Sequence, residues 1–171
     1  ILIVESLKIV TIFQQRTTTN GDDYCQYEST FKTKENNMIE KKILFRFAVF
    51  SDAHVTPVDN VSNSPFPVNR LSNQRYEHAV KCINQLDPEL ILNLGDMVHP
   101  LPGSKEYHSA AERYHQISSE FIQTPICIPG NHDVGDKPSE WMPAEAISER
   151  SLKKYHDNFG EDYRSFKYSY V

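Results

Sequence analysis

Three short stretches concentrate side chains of the kind that hold metal ions: "SDAH", with Asp52 and His54; "GD", with Asp96; and "GNHD", with Asn131, His132 and Asp133. Carboxylate, imidazole and amide oxygen together suit Mn²⁺, Fe or Zn²⁺, whereas a thiolate set would indicate structural zinc. Singly, each has a plainer reading. Asp52 serves equally as a helix N-cap or turn residue, Gly95-Asp96 as an ordinary turn, and Asn131 as a left-handed turn residue. What separates them from chance is position, because each stretch directly follows an apolar run.

Those runs are the elements that must position the stretches. "ILFRFAVFS" (43–51), "ELILNL" (89–94) and "PICI" (125–128) read as buried strands. "RLSNQRYEHAVKCINQL" (70–86) places Leu71, Tyr76, Ala79, Val80, Ile83 and Leu86 on one helical face and is ended by Asp87-Pro88. "SKEYHSAAERYHQISSEFIQ" (104–123) is a second amphipathic helix, and a further helix spans about 148–159, closed by Gly160, before "YRSFKYSYV" starts another strand. Strands alternating with helices predict an α/β layered fold with a largely parallel central sheet flanked by helices. In such open sheets ligands bind outside the carboxyl ends of the strands, so the three polar stretches are expected to converge.

In this order, Asp52-x-His54, Gly95-Asp96 and Gly130-Asn131-His132-Asp133 resemble the calcineurin-like metallophosphoesterases over roughly residues 43–171. "DPELILNLGDMV" and "PICIPGNHD" look like the cyclic-nucleotide phosphodiesterase and related phosphatase branches. The resemblance implies two metal ions (Mn, Fe or Zn): Asp52 and His54 on one, Asp96 bridging both, and Asn131 on the second. It further implies hydrolysis of phosphoric esters, mono- or diesters, by a metal-bridging hydroxide. His132 then stabilises the phosphoryl group or protonates the leaving group, and Asp133 orients and supports that imidazole. Gly95 and Gly130 are expected to permit sharp turns and close backbone approach. The family completes its centre with later histidines, including a Gly-His-x-His motif, and no such motif occurs here. The 171 residues are therefore expected to form the N-terminal portion of the domain, truncated at the C-terminus and holding a partial site. The alternative is a non-catalytic phosphoesterase-fold interaction module or inactive fragment.

Length allows one domain with a real core. Residues 1–40 read as a polar N-terminal extension or linker and 41–171 as the phosphoesterase portion; within the extension only "ILIVESLKIVTIF" is apolar enough for a strand or short buried helix. It is too short to span a bilayer, so no membrane association is expected. A net charge of -5 argues against nucleic acid as a partner; a small phosphate-ester substrate is what the resemblance implies. Cys25, Cys82 and Cys127 are odd in number and form no CxxC pair, which predicts unbridged thiols in a reducing, cytoplasmic compartment. Asn60-Val61-Ser62 is read as a chance match to a glycosylation sequon. His108 and His115, with Glu112 between them, read as solvated or packing residues, His78 and His156 as surface or boundary residues, and His99 as a candidate lining of the substrate cleft. Specificity is expected from the loop "TPVDNVSNSPFPVN" (56–69). An uncovered edge at "RSFKYSYV" predicts self-association or a complementary chain.

Overall fold

The structure, a computed structural model, describes residues 10–11, 46–62, 64, 66–136 and 146–165. A parallel sheet is built from β1 (Val10–Thr11), β2 (Phe47–Phe50), β3 (Leu90–Asn93) and β4 (Ile126–Cys127), in that spatial order. Two crossovers connect the last three strands: α1 (Ser72–Gln85) and α2 (Tyr107–Ser118). The short α3 (Asn131–Val134) follows β4, and α4 (Glu149–Phe159) completes the described elements.

Register sets up the site. Phe50 lies opposite Asn93, and Asn93 opposite Cys127, so β2, β3 and β4 end level with one another. The loops that leave their carboxyl ends therefore start side by side. β4 is shorter than the four-residue run in the sequence, because Pro125 and Pro129 flank it and cannot donate to a ladder. At the opposite edge, Val10 and Thr11 pair with Ala48 and Val49, which gives part of the N-terminal apolar run a place in the sheet. The rest of residues 1–40 lies outside the described residues.

The helices follow their apolar spacing. Tyr76, Val80 and Ile83 of α1 and Tyr107, Ala110, Tyr114 and Ile117 of α2 are buried with Ala48 and Ile91 of the sheet. Each large side chain removed from water in this way contributes on the order of 1.5–3 kcal/mol. The Tyr76 and Tyr114 rings stack at 5.2 Å, and Phe50 lies 5.8 Å from both Tyr76 and Phe121. Ser148 and Ser151 cap α4 reciprocally, through a bond from the Ser151 N–H to Ser148 Oγ (3.1 Å) and one from the Ser148 N–H to Ser151 Oγ (2.9 Å). Gly160 ends that helix at φ +92°, as its position predicts.

Three expectations need amendment. Residues 163–165 carry no strand, and the remainder of "YRSFKYSYV" lies outside the described residues; among those described, β1 and β4 are the outer strands. Cys82 is disulfide-bonded, while Cys127 is a free thiol, so the expectation of unbridged thiols does not hold at Cys82. A 3₁₀ turn at Pro67–Leu71, absent from the sequence reading, leads into α1. Among the described residues no helix is long and apolar enough to cross a membrane.

Candidate metal centre

The loop after β2 is laced to the loop after β3 by backbone bonds. The N–H groups of Asp52, His54 and Val55 donate to the carbonyls of Gly95, Asp96 and Met97, at 3.0, 2.9 and 3.0 Å. Asp52 (φ +60°), His54 (+45°) and Asp96 (+54°) all occupy the left-handed region. Such a backbone costs a non-glycine residue about 1–3 kcal/mol and persists only where surrounding structure over-determines it. Three of the four expected ligands thus share one form of strain, and it turns their side chains toward each other. His54 Nε2 lies 3.7 Å from Asp52 Oδ1 and 3.8 Å from Asp96 Oδ2.

Those separations are too long for hydrogen bonds and match donors arranged round a shared cation, whose own bonds run about 2.0–2.2 Å. One ligand atom from each of Asp52, His54 and Asp96 lies within 4.8 Å of the others. His54 Nδ1 is buried with no hydrogen-bond partner among the described residues, as is the Asn131 side-chain nitrogen. Two carboxylates, an imidazole whose Nδ1 lacks a hydrogen-bond partner among the described residues and an adjacent amide fit a divalent ion. Burial, then His132, holds the His54 pKa below the ordinary histidine range against the opposite pull of Asp96 and Asp52; Arg75 adds a smaller downward push.

The third loop is locked onto the second. A Cβ on Gly95 would lie 2.2 Å from the Gly130 nitrogen, and one on Gly130 would lie 2.3 Å from Asp96 Oδ1. Gly95 also sits at φ +106°. Both glycines are therefore where the expected close approach occurs. The His132 backbone N–H donates to Asp96 Oδ1 at 2.8 Å, which fixes the carboxylate and leaves Oδ2 on the His54 side.

Asp133 faces backbone rather than the neighbouring imidazole. Its carboxylate is fully buried and accepts from the backbone N–H groups of Gly130 (2.8 Å), Met97 (3.0 Å) and, more weakly, Val98 (3.5 Å). It thereby pins the second and third loops together. The partner of the His132 ring is instead the His99 carbonyl, 2.7 Å from Nδ1. Burial chiefly, with help from Asp96, pushes the Asp133 carboxyl up to about 7, while its amide donors pull the other way.

Helix α2 supports this arrangement from beneath. Asn93, at the end of β3, accepts the Gly95 N–H (3.0 Å) and donates to the Tyr114 hydroxyl (2.8 Å). About two turns earlier on the same face, Tyr107 donates to the Asp133 carbonyl at 2.7 Å. On the β2 side, buried Asn73 of α1 accepts the Thr56 N–H (2.9 Å) and donates to the Thr56 carbonyl (3.0 Å) and to Asp59 (2.7 Å). The start of the expected specificity loop is clamped in this way two residues after His54.

His99 lies beside the other two histidines, its ring 5.5 Å from His132 and 5.8 Å from His54; burial, then these two neighbours, lower its pKa to about 4. His108 and His115 bond to Asn158 of α4 and serve packing. The charge of Arg75, which reaches His54, is not something an amphipathic pattern announces. Asn73, Asn93 and Tyr107 were missed, because only the folded chain shows which backbone groups they hold.

The architecture and the clustered carboxylates and imidazoles define a metallophosphoesterase domain, and the chain belongs to the calcineurin-like phosphoesterase family, which matches residues 45–169. Among curated proteins it is similar to the bovine (Bos taurus) serine/threonine-protein phosphatase CPPED1, with 34% identity over 95 residues, 53% of this chain. That match spans 27% of the length of the bovine protein. No solved structure matches.

Proposed function

We propose that this chain supplies the Asp52, His54, Asp96 and Asn131 ligands of a centre that hydrolyses phosphoric esters, with His132 at the phosphoryl group. The observation that carries the reading is the shared left-handed backbone of Asp52, His54 and Asp96, which concentrates strain where the three loops meet. Bound cations (Mn, Fe or Zn) supply Lewis-acid charge and an acidified water there. Asp96, by its carboxylate, and Asn131, by its amide oxygen, would hold the cations together with Asp52 and His54.

His132 has its tautomer set by the His99 carbonyl. A carbonyl only accepts, so Nδ1 carries hydrogen and Nε2 is the atom that exchanges a proton with the substrate. As an imidazolium it donates from Nε2 to a phosphoryl oxygen and releases that proton to the leaving alkoxide. Asp133 acts on this through backbone: it holds Gly130, and hence the turn bearing His132, against Met97. Arg75, whose charge reaches His54, offers a counter-charge to the phosphate. The name of the bovine relative favours a phosphomonoester, a phosphorylated serine or threonine, over a phosphodiester. A complementary chain, or self-association through an outer strand, is the partner this reading allows.

The test pairs Asp96→Asn with His132→Ala, measuring metal content and hydrolysis of p-nitrophenyl phosphate, its bis-ester and a phosphothreonine peptide, with size by light scattering. Asp96→Asn should lose both metal and turnover. His132→Ala should keep the cation at Asp52, His54 and Asp96 and lose about 10²–10⁴-fold in rate. Full turnover in His132→Ala would sink its assigned role. Cation binding without hydrolysis of any of the three esters would favour the interaction-module reading.

A further inference from the structure

The loops after β2 and β3, together with the α3 turn, assemble a second group of donors that the family's ligand pattern does not include. One ring nitrogen each from His54, His99 and His132 lies within 4.8 Å of the other two. The His54 and His132 ring centroids are 4.6 Å apart and set edge-on, while His99 and His132 are 5.5 Å apart and nearly parallel. All three are partly exposed, so an ion can reach them from solvent. The His132 ring is already held as a ligating histidine is held, with Nδ1–H on a backbone carbonyl and the lone pair left on Nε2.

We propose that His54, His99 and His132 form an alternative site, overlapping the first at His54, for a borderline-soft divalent cation, Zn²⁺ above all. Donor chemistry separates it from its neighbour: three imidazoles suit zinc, whereas the Asp52–His54–Asp96 group, richer in oxygen, suits Mn²⁺. Zinc at the imidazoles occupies His132 Nε2, the atom needed at the phosphoryl group, so zinc in excess opposes hydrolysis. That consequence rests on the reading of His132 given above; the binding does not, and it is measured without any substrate.

The experiment titrates chelator-stripped chain with Co²⁺, a spectroscopic stand-in for zinc, and then displaces the cobalt with Zn²⁺. Wild type should develop the visible bands of a nitrogen-ligated ion. Loss of an outer-shell partner alone costs a metal site about 10–100-fold, so His99→Ala should weaken binding by at least about 100-fold. Asp52→Asn should leave the bands in place while weakening Mn²⁺ binding. Equal cobalt affinity in His99→Ala and wild type would overturn the site, and so would loss of the bands in Asp52→Asn. Should His99→Ala fail to fold, nitrogen chemical shifts of the histidine rings in the unsubstituted chain decide the matter. Zinc should move His54, His99 and His132 together, and an unmoved His99 would overturn the proposal.

Discussion

Replacing Gly95 with alanine tests the interlock of the second and third loops. The new Cβ would stand 2.2 Å from the Gly130 nitrogen, 2.6 Å from its Cα and 2.8 Å from the Pro129 carbonyl carbon. All three are backbone atoms, so no side chain can swing aside. Since a real Cβ essentially never approaches a heavy atom within 3.0 Å, the two segments must part by about 0.8 Å, from 2.2 to 3.0 Å. Overpacking of this kind costs about 1–3 kcal/mol. Alanine at φ +106° adds left-handed strain of about 1–2 kcal/mol. Alanine also narrows the unfolded ensemble, which returns about 0.4–1 kcal/mol. The net expectation is a loss of about 3 kcal/mol, read by urea unfolding followed by circular dichroism. Gly130→Ala separates the two contributions, because its φ of −99° suits any residue and only the contact with Asp96 remains. It should cost less stability than Gly95→Ala yet displace the Asp96 carboxylate and weaken Mn²⁺ binding. A Gly95→Ala protein within about 0.5 kcal/mol of wild type, the range of an ordinary surface substitution, would refute the reasoning.

Tyr107→Phe removes the donor to the buried Asp133 carbonyl and should destabilise by about 1–3 kcal/mol in a thermal melt, with Tyr107→Leu adding the loss of ring packing. An unchanged melting temperature in the phenylalanine variant would show that this bond does not hold the third loop. Deleting residues 1–37 removes β1 and turns β2 into an edge, so the shortened chain should melt a few degrees lower and self-associate more readily in light scattering, with Mn²⁺ binding retained. Loss of Mn²⁺ binding on that deletion would argue against treating the segment as an extension.

How much of this was legible in the sequence depends on the range of the interaction. Strand and helix periods are local, and they placed β2, β3, α1, α2 and α4; Ser148 and Gly160 marked the ends of α4 because capping is local as well. The convergence of Asp52, His54 and Asp96 followed from topology, since parallel strands in register end on one side. The partners of Asp133 did not follow. A carboxylate next to an imidazole invites pairing along the chain, yet the Met97 N–H that it accepts comes from 36 residues away and nothing in the local pattern announces it. Asn93 and Tyr114 belong to the same class, a polar pair 21 residues apart whose meeting requires α2 to have packed.

The clamp of Asn73 on Thr56 and Asp59 bears on how such a domain can diverge. The amide takes both backbone groups of Thr56, and Gln74 adds a bond to Asn60, so the segment following His54 is anchored to α1 before the chain reaches Val61. Beyond that anchor Val61 and Phe66 stand exposed. Chain inserted at Val61 and Ser62 would alter the shape and greasiness of this exposed segment, while the anchor at Thr56 would keep the change from Asp52 and His54. The domain thus holds a stretch where new sequence can accumulate at little risk to the residues that the anchor holds in place.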